Sequence, residues 1–461
     1  MGDIRLEKGL HRLCARVVET GSLVLKTVGG DRAGEVAVNR LLDHPDVEPT
    51  AIFGPAIAHT VEASAGLDIV VAQDTTEINF SGRAARRRGL GPAGDGRSPG
   101  FFIHPGIAVD AKTGSVLGIV GATIWTRPEA KAGDRRGRTS EDKESRRSLD
   151  TTSVAAERLG SVAASVTMVG DRESDIYGLF ANRPAGVHLI VRSAQNRSLD
   201  DGTSLATAAA TWPVLAIQTV EVPARRIGAK GGPQPARTAR VEVRAGPVAL
   251  LRPKGRTANA ADAAKIDAHQ VVVREVGAPA GTTSLEWRLL ATRPVNGAAE
   301  AREVVRLYRL RWRIEEVFRS LKTDGLDLEA SQVTTPERLF NLAAVGLVAA
   351  TRIVQLVDAR DGSKRPATDC IEAGDLPAVA AIGATLEGAT PRQKNRWPKG
   401  SLAWLAWTVA RLGGWNCYGR PPGPKTMAAG WQRLASRIEG FDLGANIKTE
   451  VLRHRTGGSN L

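Results

Sequence analysis

Three acids in this chain of 461 residues stand where carboxylates can do chemistry. Asp74 ends the apolar, β-branched run LDIVVAQD, and Asp171 ends a second run, SVTMVGD, and opens a helix. Glu315 lies in the middle of the amphipathic segment RLYRLRWRIEEVFRSLK. Carboxylates converging from strand ends and a facing helix are the hard oxygen ligands that Mg²⁺ or Mn²⁺ prefers. Two such ions about 3.5–4 Å apart activate a water or hydroxyl and stabilise the leaving oxygen of a phosphodiester. Each acid also has a plain reading. A strand-end Asp is often a turn former or helix N-cap, and Glu315 pairs with Arg311 at i,i+4 on any solvated helix face.

Helix geometry groups Glu315 with three other side chains. At ~100° per residue, Tyr308, Arg311, Glu315 and Lys322 share a stripe ~60° wide that runs ~21 Å along one helix, and Glu316 falls off it. One acid, two cations and a phenol suit a metal ligand flanked by groups that grip phosphates, because Arg binds them bidentately and Lys acts as a point charge.

These residues need positioning elements. Residues 1–60 read as short helices, broken at Gly29 and Gly30. Residues 67–80 read as a buried strand, 101–125 as a hairpin turning at Lys112–Gly114, and 127–147 as an exposed loop. A helix follows near Thr152–Leu159, then strands at 165–170 and 187–193. Alternating segments such as AIQTVEVPA and ARVEVRA predict a β-rich insertion at about 200–285, and SLEWRLLAT a returning strand. Residues 298–322 read as one amphipathic helix, 336–357 as a long apolar one, and 359–370 as a linker. The Trp-rich stretch SLAWLAWTVARLGGW, near the end of the chain, reads as helix core or dimer packing.

Composition narrows the partners. There are 63 Lys+Arg against 49 Asp+Glu, a formal charge of +14. An arginine-rich composition also arises from codon usage alone, but the excess favours a polyanion, with nucleic acid first. Three cysteines without CxxC spacing exclude a disulfide scaffold and a Cys-based zinc site, and fit a reducing cytoplasm. No uninterrupted apolar run reaches the ~20 residues of a spanning helix, so no membrane is expected. No GxxxxGK[ST] loop occurs, so ATP is not expected. Arg83, Arg86, Arg87, Arg88 and Arg97 fall in one loop that reads either as solvated or as touching phosphates. His104, within an apolar strand, reads as a core histidine with satisfied hydrogen bonds rather than a metal ligand.

QDTTEINF at 73–80, VGDRESDI at 169–176, IVRS at 190–193 and YRLRWRIEEVFRSLK at 308–322 carry a family resemblance. The chain resembles the DDE transposases of bacterial insertion sequences, in the branch with a Tyr-Arg-Glu-Lys signature that includes the transposon-five transposase. The resemblance implies an α/β fold with an RNase H-like (retroviral-integrase-like) catalytic core over 63–358, interrupted by the β-rich insertion. It also implies a helical DNA-binding region at 1–62, expected to be shortened because family members carry more residues before it. A helical dimerisation region at 371–461 completes the expected architecture.

By the same resemblance, Asp74, Asp171 and Glu315 are the catalytic acids and hold two Mg²⁺ (or Mn²⁺) ions. Tyr308, Arg311 and Lys322 grip phosphates of the transposon end, Trp287 stacks on a flipped base, and Arg192 lies near the DNA backbone. Trp287 also reads simply as a half-buried strand residue. The expected activity is cut-and-paste transposition: end cleavage, hairpin formation and opening, then strand transfer. The expected partners are double-stranded DNA, as inverted-repeat ends and target, and a second copy in a synaptic homodimer, in the bacterial cytoplasm with the nucleoid. The rival readings are a catalytically idle DNA-binding or inhibitor form, and an RNase H-like nuclease without strand transfer.

Overall fold

The computed structural model describes residues 3–80, 89–93, 98–127, 146–222, 224, 235–254, 259–323 and 326–456. The Arg83–Arg88 cluster and Arg97 lie outside the described residues, apart from their neighbours Gly89 and Ser98. Four helices open the chain, α1 (Ile4–Thr20), α2 (Leu25–Gly29), α3 (Arg32–Leu42) and α4 (Pro49–Ala63). On α1, Leu10, Leu13 and Val17 recur at helical spacing and are all buried. Asp31 caps α3 by accepting a hydrogen bond from Gly34 N at 2.7 Å.

The central region is built on strands β1 (Asp68–Gln73), β2 (Thr76–Asn79), β3 (Pro92–Ala93), β4 (Ser98–Asp110) and β5 (Val116–Trp125). Helix α5 (Arg146–Leu159), β6 (Ser165–Gly170), α6 (Tyr177–Ala181) and β7 (Val187–Arg192) follow. Beyond them come α7 (Leu205–Thr211), β8 (Ala216–Val222), β9 (Arg237–Leu251), β10 (Lys265–Glu275) and β11 (Glu286–Ala291). Among the described residues one mixed sheet runs β2-β4-β1-β6-β7-β11-β10-β9-β8, with β5 on the other side of β4. β1 is antiparallel to β4 and parallel to β6, and β6 is parallel to β7. The expected insertion is therefore not a separate lobe: β8, β9 and β10 extend the central sheet through β11.

β1 is buried on both faces. Val70 and Ala72 join one apolar core, Ile69 and Val71 the other. That is why the sequence there is a continuous apolar run rather than an alternation.

The helical part continues with α8 (Ala298–Arg309), α9 (Trp312–Lys322), α10 (Pro336–Ala359), α11 (Leu376–Thr385), α12 (Leu402–Leu412) and α13 (Pro424–Thr456). The single helix expected over 298–322 is instead two. Leu310, Arg311, Arg313 and Ile314 each donate to the carbonyl three residues back, at 3.0, 3.0, 3.0 and 3.2 Å, a 3₁₀-like tightening at the junction. The expected linker at 359–370 is also corrected. Ala367 and Cys370 are buried in the main core, and Leu402 N donates to Arg365 O at 2.6 Å. Among the described residues, one helix, Pro336–Ala359, is long and apolar enough to cross a membrane, and its most apolar window is 78% buried inside the protein.

Candidate active site

Strand register brings two aspartates to neighbouring strand ends. β1 and β6 pair in parallel from Asp68 opposite Ser165 to Ala72 opposite Val169. Two residues further along that register come Asp74 and Asp171, each the first residue past the end of its strand, and the charge of Asp171 is felt at Asp74. Asp74 leaves the ladder for a local reason. Gln73 faces Gly106 on β4 and Thr76 faces Ile103, so the same register puts Asp74 opposite Pro105 and Thr75 opposite His104. Proline has no N–H to give, and the strand is interrupted at that rung, separating β1 from β2.

The third acid arrives on α9 through a cation. The Arg311 guanidinium pairs through Nη1 with Asp74 Oδ2, and its Nη2 lies 3.6 Å from Glu315 Oε1. Asp74 Oδ1 also accepts from Thr75 N at 2.8 Å. The Asp74 and Arg311 side chains keep only 15% of their surface exposed, whereas Glu315 keeps 35%. Burial pushes the Asp74 carboxyl up to about 7. Arg311 opposes that rise, and the neighbouring charges of Asp171 and Glu315 add to it.

The plain readings hold at the same atoms. Asp171 Oδ1 accepts from Glu173 N at 2.8 Å and caps the 3₁₀ turn Arg172–Ser174, and Arg311–Glu315 is an i,i+4 pair. A cap uses one lone pair of one oxygen and leaves the rest of the Asp171 carboxylate free to act.

The other predicted residues lie at varying distances from Asp74 and Arg311. Tyr308 is buried, its hydroxyl pushed upward by burial, with Arg311 opposing, and the tight junction stacks it over Arg311 one 3₁₀ turn away. Trp287 is half-buried and meets Tyr308 edge-on at 5.6 Å between ring centroids. Arg192 is half-buried at the end of β7, and its Nη2 donates to Glu286 O at 3.0 Å. Lys322, half-buried, is the last residue of α9, seven residues past Glu315 and so ~10 Å further along the helix. It does not join the acids. The structure also names residues that sequence reasoning passed over: Gln73, Thr75 and Pro105 beside Asp74, and the buried pair Asp175–Arg197. The motif QDTT held two of them in plain view.

Asp74 and Glu315 share the Arg311 guanidinium, and carboxylate oxygens are donors of the type that a divalent ion takes. Among the described residues, no three His, Cys, Asp or Glu side chains are drawn together closely enough to hold an ion. The donor set fits such an ion by type and by charge. In this arrangement the positive charge among the carboxylates is the Arg311 guanidinium.

The family model for the transposase DDE domain matches residues 66–351, well over half of the chain. The chain belongs to this transposase family. The matched span begins just before β1 and ends within α10, so it contains both strand-end aspartates and Glu315. Membership makes the protein a DNA transposase, an enzyme that binds DNA.

Proposed function

We propose that the chain is a cut-and-paste transposase of the Tyr-Arg-Glu-Lys branch, with an RNase H-like core. The strand order β5-β4-β1-β6-β7, with β1 antiparallel to β4 and β6 and β7 parallel to β1, supports that core. The observation that carries the catalytic assignment is the parallel β1–β6 register, which ends the two strands just before Asp74 and Asp171, together with the guanidinium that ties Asp74 to Glu315.

Asp74, Asp171 and Glu315 would hold two Mg²⁺ or Mn²⁺ ions, which activate the attacking water or hydroxyl and stabilise the leaving oxygen. The chain's own residues do the rest. Arg311 carries a fork that can turn from carboxylate to phosphate, and Lys322 offers a second positive charge further along α9. Trp287, paired edge-on with Tyr308, presents a ring on which an extruded base can stack, recovering part of the unstacking cost. Arg192 lies on the same side, at the end of β7.

Hydrolysis at the transposon end frees a 3′-hydroxyl, which attacks the opposite strand to give a hairpin. Reopening the hairpin restores the 3′-hydroxyl for attack on target DNA. Two ends must be paired, so a homodimer holding inverted-repeat ends and target duplex is the working assembly, in the bacterial cytoplasm with the nucleoid. The helical segments 1–62 and 371–461 serve end binding and dimerisation.

The test uses full-length protein and a duplex carrying the inverted repeats that flank its reading frame. With Mg²⁺, nicking at the repeat and joining to a supplied target are expected. Asp74→Ala is expected to abolish both and spare DNA binding in a gel shift. Cleavage retained by that variant overturns the assignment, and cleavage without joining reduces the protein to a nuclease.

A further inference from the structure

His104 is 4% exposed and lies on β4 directly across from Thr75. Its Nδ1 is 2.9 Å from Thr75 Oγ1, and its Nε2 is 3.5 Å from Gln73 Oε1. Those two partners are the residues on either side of Asp74. Side chains alternate along a strand, so Gln73 and Thr75 point to one face and Asp74 to the other. The imidazole thus grips the strand from behind, at the rung where Pro105 lets the ladder lapse.

The chemistry of the contacts sets the tautomer. The tautomer that satisfies both contacts has the proton on Nε2, facing the Gln73 amide oxygen, and Nδ1 accepting from the Thr75 hydroxyl. Burial, with a further push from Arg147, lowers the ring to about 4, so it is neutral at pH 7. The same layer reaches the second aspartate. Gln73 is fully buried, and one rung along the β1–β6 register it faces Gly170, the residue before Asp171. A Cβ at 170 would lie 2.5 Å from Ser174 Oγ and 3.9 Å from Gln73 Nε2, so glycine there keeps the space open. Ser174 Oγ in turn is 3.2 Å from Ser148 Oγ.

We propose that His104 is a positioning residue for Asp74: by holding Thr75 and Gln73 it fixes the direction in which the carboxylate leaves the interrupted strand. Thr75 is the coupling element, because its backbone N–H donates to Asp74 Oδ1 while its hydroxyl is hydrogen-bonded to His104 Nδ1. The inference rests on the reading of Asp74 as a catalytic acid.

The experiment is a double-mutant cycle on the full-length protein with His104→Leu and Thr75→Val, read as the rate of inverted-repeat cleavage and, separately, as DNA affinity. Each single change should lower the cleavage rate by roughly 10–100-fold, the usual cost of losing a group that orients a ligand. DNA affinity should stay the same. The double variant should be no slower than the slower single, because both cut one link. His104→Asn, whose amide can accept at the Nδ1 position, and Thr75→Ser should recover most of the rate. Multiplicative losses, or a His104→Leu protein that cleaves at the unsubstituted rate, overturn the inference. If His104→Leu does not fold by circular dichroism, Thr75→Val against Thr75→Ser decides alone, and equal rates overturn it. A failure of the unsubstituted protein to cleave would remove the transposase reading itself, a result distinct from these.

Discussion

A single guanidinium holds the charge balance of the site. Asp74 is largely shielded from water, and its carboxyl sits near 7 because desolvation outweighs the attraction of Arg311, with Asp171 and Glu315 pushing the same way as desolvation. This makes a prediction with a definite sign. A carboxyl raised in the folded state binds a proton that the unfolded chain has already released. The penalty is absent below pH ~4, grows as pH rises, and is complete above pH ~7, with an upper limit of roughly 4 kcal/mol. Urea unfolding in EDTA should therefore show stability falling between pH 5 and 8. Asp74→Asn, which cannot ionise, should flatten that slope. Parallel slopes for the two proteins would show that Asp74 does not carry this strain. Adding Mg²⁺ at pH 8 should raise the midpoint of the unsubstituted protein more than that of Asp74→Asn, since an ion bound only by the folded state stabilises it.

The elements that deliver these groups differed in how far the sequence revealed them. β1 and β6 were readable because β-branched runs with a terminal acid leave few alternatives. Their pairing was not, since the parallel register that ends both strands just before Asp74 and Asp171 is encoded by no local pattern. The break at 310–311 was hidden as well. Neither Pro nor Gly marks it, and both residues keep right-handed helical dihedrals, so only the hydrogen-bond pattern changes. The insertion read correctly as strands, but its merger with the central sheet depends on β11, which pairs with β7 on one side and β10 on the other.

Asp175, quoted within VGDRESDI, proved to be a clamp between elements. Its Oδ2 accepts from Ala194 N at 2.7 Å and Gln195 N at 3.1 Å, and its Oδ1 from Arg197 Nη2 at 2.7 Å. This ties the turn after Asp171 to the loop after Arg192. Both side chains are almost wholly shielded, at 0% and 5% exposure. Asp175→Ala should thus cost about 3–5 kcal/mol in chemical denaturation, because it strands a buried guanidinium. Combining it with Arg197→Met should cost less than the sum of the two singles. A loss under ~1 kcal/mol for Asp175→Ala would show that the pair is not load-sharing.

At the scale of the whole molecule, the matched family span ends inside α10, yet the packing does not stop there. α10 is buried along most of its length and fastens the parts on either side of it. Asn341 Nδ2 donates to Leu42 O at 2.9 Å and Val47 O at 2.7 Å, and Gln355 Nε2 donates to Leu117 O at 2.6 Å. Leu405, Val409, Met427, Trp431 and Leu434 from α12 and α13 belong to the same core cluster as Leu13 and Val17 of α1 and Leu347 of α10. The terminal helices therefore complete the core of the matched span rather than hanging from it. At ~1.5–3 kcal/mol per buried side chain, losing α12 and α13 removes on the order of 10 kcal/mol, comparable to the entire stability of a typical domain. A chain ending at Ala359, although it keeps Asp74, Asp171 and Glu315, should accordingly show no sharp unfolding transition by circular dichroism and should bind a dye for exposed apolar surface. A truncated protein that melts cooperatively near the full-length temperature would mean that residues 1–359 fold on their own, and that the shared core contributes little to their stability.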